Sequence, residues 1–115
     1  MQRDSEREEM FLETKSVLTE LYSRFQELYG DRLVRMVLYG SQARGDAGKD
    51  SDIDILVVLK NKVDPMGEIK LTGGIVAELS LKFGVVISCI FMDEGYFMHR
   101  NGPLLRNIRK EGIEV

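Results

Sequence analysis

The chain has few of the residues that support covalent cross-links or membrane insertion. Its 115 residues include one cysteine, Cys89, one histidine and no tryptophan. A single cysteine excludes an internal disulfide and a zinc site built from cysteines. No run approaches the roughly 18 consecutive apolar residues of a membrane span, and the first ten residues are too charged for a signal peptide. We therefore expect a cytoplasmic protein with no membrane partner, and Cys89 as a small buried side chain.

The chain also lacks an excess of positive charge. It has 19 acidic and 16 basic residues, which give a formal net charge of −3. Proteins that bind nucleic acid usually carry a clear basic excess, so the charge argues against a nucleic-acid partner. The net charge does not exclude a local binding site for one small phosphate ligand. The length favours one domain, residues 1–115.

One long amphipathic helix is predicted before the first strand. It runs from Ser5 to Tyr29, with Ser5 and Glu8 as a capping box. Apolar residues recur along it at helical spacing. The predicted apolar face consists of Phe11, Leu18, Leu21, Phe25 and Leu28.

Three apolar runs predict β-strands: Leu33–Tyr39, Ile53–Leu59 and Val85–Met92. A second helix is predicted from Pro65 to Phe83, with Asp64 as its N-cap. Its predicted inward residues are Ile69, Val76, Leu79 and Phe83.

The last predicted element is a short helix from Pro103 to Lys110, capped by Asn101 and followed by a short tail. The order of elements indicates an α+β fold, a small mixed β-sheet with helices packed on one face and a site on the other. Gly73 and Gly74 interrupt the second long helix. We interpret them as close packing on the sheet, with room for a ligand or partner as the alternative.

Two carboxylates stand at the start of the second strand. Asp52 and Asp54 are separated by one residue, so both side chains project from one face of the strand, while Ile53 and Ile55 project into the core. Adjacent carboxylates repel each other unless a cation lies between them. Hard oxygen ligands favour Mg²⁺ or Mn²⁺. For this pair alone, a solvated strand end explains the pattern equally well.

A glycine–serine turn follows the first strand directly. Glycine lets the backbone approach a ligand closely, and the Ser41 hydroxyl and the amide groups after Gly40 could hold a phosphate. We predict a short helical turn from Ser41 to Arg44. Rival motifs fail on their details, because Asp46 and Ala47 replace the lysine and hydroxyl of a P-loop. A phosphate cradle beside a carboxylate pair describes a site for a metal-bound triphosphate.

The segment Leu38–Leu59, LYGSQARGDAGKDSDIDILVVL, resembles a known signature. Gly40-Ser41, Ala43-Arg44-Gly45 and Ser51-Asp52-Ile53-Asp54-Ile55 are similar to the G-S-x-A-R-G…S-D-I-D-[IL] pattern of minimal nucleotidyltransferases, of the DNA polymerase β-like superfamily. The order of elements extends the resemblance over almost the whole chain. Many members are MntA-type antitoxins paired with HEPN-domain toxins.

The resemblance implies a nucleotidyltransferase fold and a role for each motif residue. Gly40, Ser41 and Arg44 would bind ATP or another nucleoside triphosphate. Asp52 and Asp54 would be the catalytic carboxylates and the Mg²⁺ (or Mn²⁺) ligands. Such proteins transfer a nucleoside monophosphate, commonly AMP, to a hydroxyl. The implied partner is a HEPN-domain protein, and formation of a homo-oligomer stays open.

The chain departs from the family pattern at one position. The family carries a third carboxylate on the next strand, and counting from Gly84 places Ser88 there. Asp93 could compensate, although we favour loop capping for it. Two functions therefore stay open: transfer of AMP to a hydroxyl, or a catalytically silent, nucleotide-binding antitoxin that acts by direct contact.

Overall fold

The structure, a computed structural model, describes residues 2–45 and 52–115, with side chains from residue 12 onward. Nine helices and strands follow one another in these ranges, with a 3₁₀ turn, Gly30–Arg32, after the first helix. In chain order they are α1 (Gln2–Tyr29), β1 (Leu33–Tyr39), α2 (Ser41–Arg44), β2 (Ile53–Leu59), α3 (Pro65–Phe83), β3 (Ile87–Asp93), α4 (Glu94–His99), α5 (Pro103–Glu111) and β4 (Ile113–Glu114). Within the described residues, no helix combines the length and apolar composition needed to cross a bilayer.

The four strands form one mixed sheet in the order β3-β2-β1-β4. Strand β1 pairs antiparallel with both β2 and β4, whereas β2 and β3 run parallel. A parallel pair needs a crossover connection, which α3 supplies. The predicted α+β class and mixed sheet are confirmed.

The core lies on both faces of this sheet. Strand residues alternate between the faces, so Ile53, Ile55 and Val57 pack with α1 and α3 on one face. Leu56 and Val58 pack on the opposite face with Phe97 of α4 and with α5. The expectation that helices cover one face only is therefore wrong, because α4 and α5 partly close the second face.

Helix α1 buries a slightly different face from the one predicted. It begins at Gln2, so Ser5 lies inside the helix and is not its N-cap. Among the side chains of α1 that are described, Val17, Leu21 and Phe25 are fully buried, and the predicted position Phe11 lies outside the described side chains. Leu28 is 39% exposed, and Tyr29 is buried in its place. The buried face therefore repeats every four residues, which the spacing of leucine and phenylalanine alone did not reveal.

Helix α3 also departs from the predicted inward face. Leu79 is buried as expected, but Ile69 is 48% exposed, and the buried polar residues are Glu68 and Thr72. A side-chain carbon added at Gly73 or Gly74 would meet no atom within 4 Å. Close packing on the sheet therefore does not explain these two glycines.

The C-terminal part contains two elements that were not predicted. Helix α4 follows β3 directly, and β4 pairs with Val37 and Leu38 of β1. The N-cap of α5 is Gly102, not Asn101. The Asn101 side chain instead accepts a 3.0 Å hydrogen bond from Nη1 of Arg109.

Candidate functional site

One end of the sheet brings together three side chains from three neighbouring strands. Tyr39, the last residue of β1, is paired with Asp54 near the start of β2. Asp54 is in turn paired with Ser88 near the start of β3. These positions alternate with Ile53 and Ile55, which are buried against α1 and α3. The row Tyr39–Asp54–Ser88 therefore lies on the opposite face of the sheet, at its open end.

Gly40 brings its backbone directly against the carboxylate of Asp54. A side-chain carbon added at Gly40 would lie 2.5 Å from Oδ2 of Asp54, well inside contact distance. The backbone at Gly40 has φ 76° and ψ −158°, a region that only glycine populates readily. The glycine–serine turn and the second carboxylate therefore form one compact unit.

The turn after Gly40 is a single helical turn held by its own backbone. The carbonyl of Gly40 accepts 3.1 Å hydrogen bonds from the amides of Ala43 and Arg44. The Thr14 hydroxyl of α1 donates to Oε1 of Gln42 at 3.3 Å, which ties the turn to α1. The predicted short helical turn is confirmed.

The two carboxylates repel each other. Asp52 is exposed and Asp54 is half-buried. Burial, and then the negative charge of Asp52, raise the pKa of Asp54 above its ordinary value. Paired carboxylate oxygens that destabilise each other fit a hard divalent cation such as Mg²⁺ or Mn²⁺. No cluster of three or more His, Cys, Asp or Glu side chains suited to a metal occurs among the residues described.

The structure separates the two positions considered for a third carboxylate. Ser88 lies beside Asp54 on the neighbouring strand. Asp93 is at the opposite end of β3, paired with Leu59. Its Oδ1 accepts a 2.7 Å hydrogen bond from the amide of Tyr96 and caps α4. Asp93 is therefore a helix cap and not a substitute ligand for this site.

Arg44 takes part in a contact between the turn and the last helix. Its Nη1 lies 3.5 Å from Oε2 of Glu111, at the end of α5. Both side chains are substantially exposed, so the pair stabilises the fold only weakly. The contact links Arg44 at the end of α2 to the end of α5.

Tyr39 is a neighbour of the site that the sequence did not single out. Burial, and then the charge of Asp54, raise the pKa of its hydroxyl. A signal was available, because Tyr39 immediately precedes Gly40 at the end of an apolar run. Cys89 is partly buried on the other face of the sheet, where burial raises the pKa of its thiol to about 12.

Comparison with known proteins shows the family of the chain. Residues 18–114 match the model of the nucleotidyltransferase domain. "Putative protein adenylyltransferase MJ0604" of Methanocaldococcus jannaschii is 36% identical over 99 residues, which cover 85% of this chain and 93% of the relative. "Putative protein adenylyltransferase MJ0141" of the same organism is 32% identical over 90% of this chain and 100% of its own length.

Solved structures of the same fold are more distant in sequence. A toxin–antitoxin complex with AMP-PNP contains a chain that is 17% identical, with a TM-score of 0.58 over 82% of this chain and 68% of that one. A putative nucleotidyltransferase from Sulfolobus solfataricus is 24% identical, with a TM-score of 0.52 over 94% and 80%. Both structural similarities concern the fold alone. The residues that the family model matches include Gly40 and Asp54. The chain belongs to the nucleotidyltransferase domain family.

Proposed function

We propose that this chain is a metal-dependent nucleotidyltransferase that transfers AMP from ATP to a hydroxyl group on a HEPN-type partner protein. The observation that carries the proposal is the contact of the Gly40 backbone with the carboxylate of Asp54. This contact supports the proposal, because a turn that could hold phosphate groups and oxygens that could hold a divalent cation are then neighbours. Relatives named as protein adenylyltransferases support AMP as the transferred group and a protein as its acceptor.

Each residue of the site has a distinct task in this proposal. Asp52 and Asp54 hold the cation, and Gly40 and Ser41 hold the phosphates through backbone amides and the serine hydroxyl. Arg44 adds positive charge at the edge of the turn. When bound, Mg²⁺ would neutralise negative charge on the triphosphate. A bound cation would also favour the charged form of Asp54, whose pKa is raised first by burial and then by the charge of Asp52.

The reaction is a displacement at the α-phosphorus of ATP. The oxygen of the acceptor hydroxyl forms a bond to the α-phosphorus, and the bond between that phosphorus and the bridging oxygen to the β-phosphorus breaks. Pyrophosphate leaves, and the hydroxyl proton passes to solvent. The role of the protein is to position the triphosphate and stabilise its charge, as in other phosphate transfers.

The test follows label from [α-³²P]ATP to the HEPN-type protein in the presence of Mg²⁺. We expect label on the partner with the native chain and none with Asp54→Asn. Asp93→Asn is the matched control, because it makes the same chemical change on the helix cap at the other end of β3, and it should leave labelling intact. Absence of label with the native chain, although ATP binds, would reject the transfer activity.

A second function is favoured by one observation, the serine beside Asp54. In that case the chain binds a nucleotide without turnover and neutralises its partner by contact, as an antitoxin. The fold likeness to chains of toxin–antitoxin complexes is compatible with it. A double variant, Asp52→Asn with Asp54→Asn, separates the two functions. Neutralisation that survives in this variant supports contact alone, and neutralisation lost while the complex still forms supports the enzyme.

A further inference from the structure

We infer that the outward face of helix α3 binds the same face of a second copy of this chain, in a two-fold symmetric dimer whose α3 helices run antiparallel. The inference goes beyond the proposed function and does not depend on it. Helix α3 packs on the sheet face opposite the row Tyr39–Asp54–Ser88. This pairing therefore leaves the candidate site of each copy uncovered.

The outward face of α3 is largely apolar. A helix turns about 100° per residue, and six positions of α3 share one arc of about that width, opposite the buried Thr72 and Leu79. These six residues form the outer face of α3: Met66, Lys70, Gly73, Gly74, Ala77 and Leu81. Met66 is 65% exposed and Leu81 is 86% exposed. Single exposed apolar side chains are ordinary, but an apolar face along a whole helix indicates an interaction surface.

The order of residues along the outer face is two-fold symmetric. Met66 stands seven residues before Gly73, and Leu81 stands seven residues after Gly74. In an antiparallel pair of α3 helices centred between the two glycines, Gly73 of one copy lies opposite Gly74 of the other, and Met66 lies opposite Leu81. A symmetric dimer requires such a self-complementary patch, because each residue of one copy meets the residue that its own partner position meets in return. The occupant that this order fits is therefore a second copy of the chain.

The pairing also explains the two glycines. A side-chain carbon added at Gly73 or Gly74 would meet no atom within 4 Å, although glycine lowers the stability of a helix relative to alanine. Small residues let two helix backbones approach closely. With glycines at the crossing point, the longer side chains of Met66 and Leu81 reach the second helix on either side of it. The open space beside the glycines is then filled by the other copy.

Charge favours the antiparallel arrangement over a parallel one. The same centre places Ala77 of one copy opposite Lys70 of the other, and Glu78 follows Ala77 by one residue, about 1.5 Å along the helix axis. Lys70 and Glu78 are both exposed, so each copy offers the other one lysine and one glutamate. Glu78 already pairs with Arg24 of its own chain, and Lys70 of the second copy would join this pair. Parallel helices in register would instead set Lys70 against Lys70, which repel each other.

The experiment measures self-association of the full chain by sedimentation velocity, at concentrations up to about 1 mM, where even a weak dimer is populated. The native chain should shift from monomer to dimer as its concentration rises. Leu81→Glu should stay monomeric, because the dimer would bury an unpaired carboxylate. Leu104→Glu is the matched control, since Leu104 is an exposed leucine of α5, and it should dimerise as the native chain does. Circular dichroism establishes that both variants are folded.

Two further sets of variants test the geometry of the pairing. Gly73→Ala and Gly74→Ala should each raise the dissociation constant of the dimer by about tenfold or more, because a methyl group at the centre of the interface holds the helices apart. The same alanines favour the helix in the monomer, so a weaker dimer would not reflect a damaged fold. Lys70→Glu and Glu78→Lys should each weaken the dimer, and the double variant should restore it, because the charges are then exchanged on both copies.

Several outcomes would overturn the inference. A native chain that stays monomeric at every concentration would do so, and so would a folded Leu81→Glu that dimerises like the native chain. A double charge variant that stays as weak as the single ones would reject the antiparallel pairing. Loss of a complex with the HEPN-type protein in Leu81→Glu, from a native chain that does not self-associate, would assign this face to that protein instead. Transfer of label from ATP is measured separately, so the proposed function stands or fails on its own.

Discussion

At the scale of single residues, the contact between Gly40 and Asp54 determines the shape of the site. Strand β1 ends at Tyr39. The turn that begins at Gly40 approaches the carboxylate of Asp54 closely. A side-chain carbon added at Gly40 would lie 2.5 Å from Oδ2 of Asp54, so the carboxylate would have to move to make room for it. The glycine is therefore a requirement of close approach, separate from any contact with phosphate.

Gly40→Ala should impair both the fold and nucleotide binding. Its backbone lies in the region almost exclusive to glycine, and the new methyl group would push Asp54 away. Gly45→Ala is the matched control, since Gly45 has φ 77° but no atom within 4 Å of the added carbon. The control should cost about 1–2 kcal/mol of unfolding free energy for a left-handed residue. Urea unfolding and ATP titration measure both effects, and equal losses in the two variants would contradict the role of the Asp54 contact.

Asp54→Asn should make the metal-free protein more stable near neutral pH while removing cation binding. The folded pKa of Asp54 is raised by burial and then by Asp52. A raised carboxyl pKa means that the folded state holds its proton more tightly, so stability falls as pH rises through that pKa. Because asparagine carries no charge, the variant does not lose stability as pH rises through that pKa. Urea midpoints at pH 7, with and without Mg²⁺, should show a higher midpoint for the variant without Mg²⁺ and a gain from Mg²⁺ only in the native chain.

At the scale of secondary structure, α3 contains two glycines that lower its stability although a larger side chain would fit at either position. Gly73 and Gly74 lie within the helix, and a side-chain carbon at either position would enter open space. Glycine inside a helix costs about 1 kcal/mol relative to alanine, because the unfolded chain has more backbone freedom. The helix is therefore stabilised mainly by its buried face, through Leu79, Thr72 and Glu68.

Gly73→Ala and Gly74→Ala should each raise the free energy of unfolding by about 0.5–1 kcal/mol. Ala77→Gly is the reciprocal control, because Ala77 is exposed on α3 as Gly74 is, and this variant should lose a similar amount of unfolding free energy. Chemical denaturation of the three single variants checks the prediction. A lower free energy of unfolding in either alanine variant would contradict the prediction and show that the space beside the glycine has a role.

The sequence predicted those elements whose signals are local. Strands β1 and β2 match their predicted bounds, since each is a largely apolar run, with Arg35 in β1 and Asp54 in β2 as the exceptions, that stops before Gly40 or starts after Asp52. The meeting of Gly40 with Asp54 was also expected, from the order of motifs. By contrast, β4 depends on pairing with β1, in which Leu38 and its partner Ile113 are 75 residues apart in the chain. The sequence of a two-residue strand carries no sign of such a distant partner.

The predicted helix faces failed where polar residues are buried. Ile69 was expected on the buried face of α3 because it is apolar, but Glu68 is buried there and Ile69 is exposed. A buried carboxylate is tolerated only with hydrogen-bond partners, and here they come from Tyr29 at the end of α1 and Arg32 in the turn that follows. Neither partner is visible from the periodicity of α3, so the sequence pattern alone favoured the wrong face.

At the scale of the whole molecule, the buried side chains of Tyr29 and Glu68, with the partly exposed Arg32, join the parts of the chain on the sheet face that α1 and α3 cover. The Tyr29 hydroxyl donates to Oε1 of Glu68 at 2.9 Å, and Nη2 of Arg32 donates to Oε2 at 3.2 Å. Arg32 also donates to the backbone carbonyls of Lys60 and Lys62, at 3.1 and 2.8 Å. One arginine thus connects the end of α1, the segment after β2 and the first turns of α3.

Glu68→Gln should destabilise the protein at neutral pH and reduce the change of its unfolding free energy with pH in the acidic range. Burial by itself would raise the pKa of Glu68, but the hydrogen bonds from Arg32 and Tyr29 and the charge of Arg32 outweigh it and hold that pKa below the ordinary value of 4.5. A lowered carboxyl pKa contributes stability that is present above the unfolded pKa and is lost as pH falls through the folded one. We expect a loss of about 1–3 kcal/mol at pH 7, typical of a buried charged hydrogen bond.

The contrast with an exposed glutamate on the same helix makes this prediction specific. Glu78 forms an ion pair with Arg24 in which both side chains are well exposed, so Glu78→Gln should cost less than about 1 kcal/mol. Urea unfolding at several pH values between 3 and 7 compares both variants with the native chain. The native curve should fall below pH 4.5 and converge on that of Glu68→Gln as the carboxyl group becomes protonated. Parallel curves would mean that the charge of Glu68 does not help to hold α1, α3 and the sheet together, and that the buried contacts around Leu79 and Phe25 carry this junction alone.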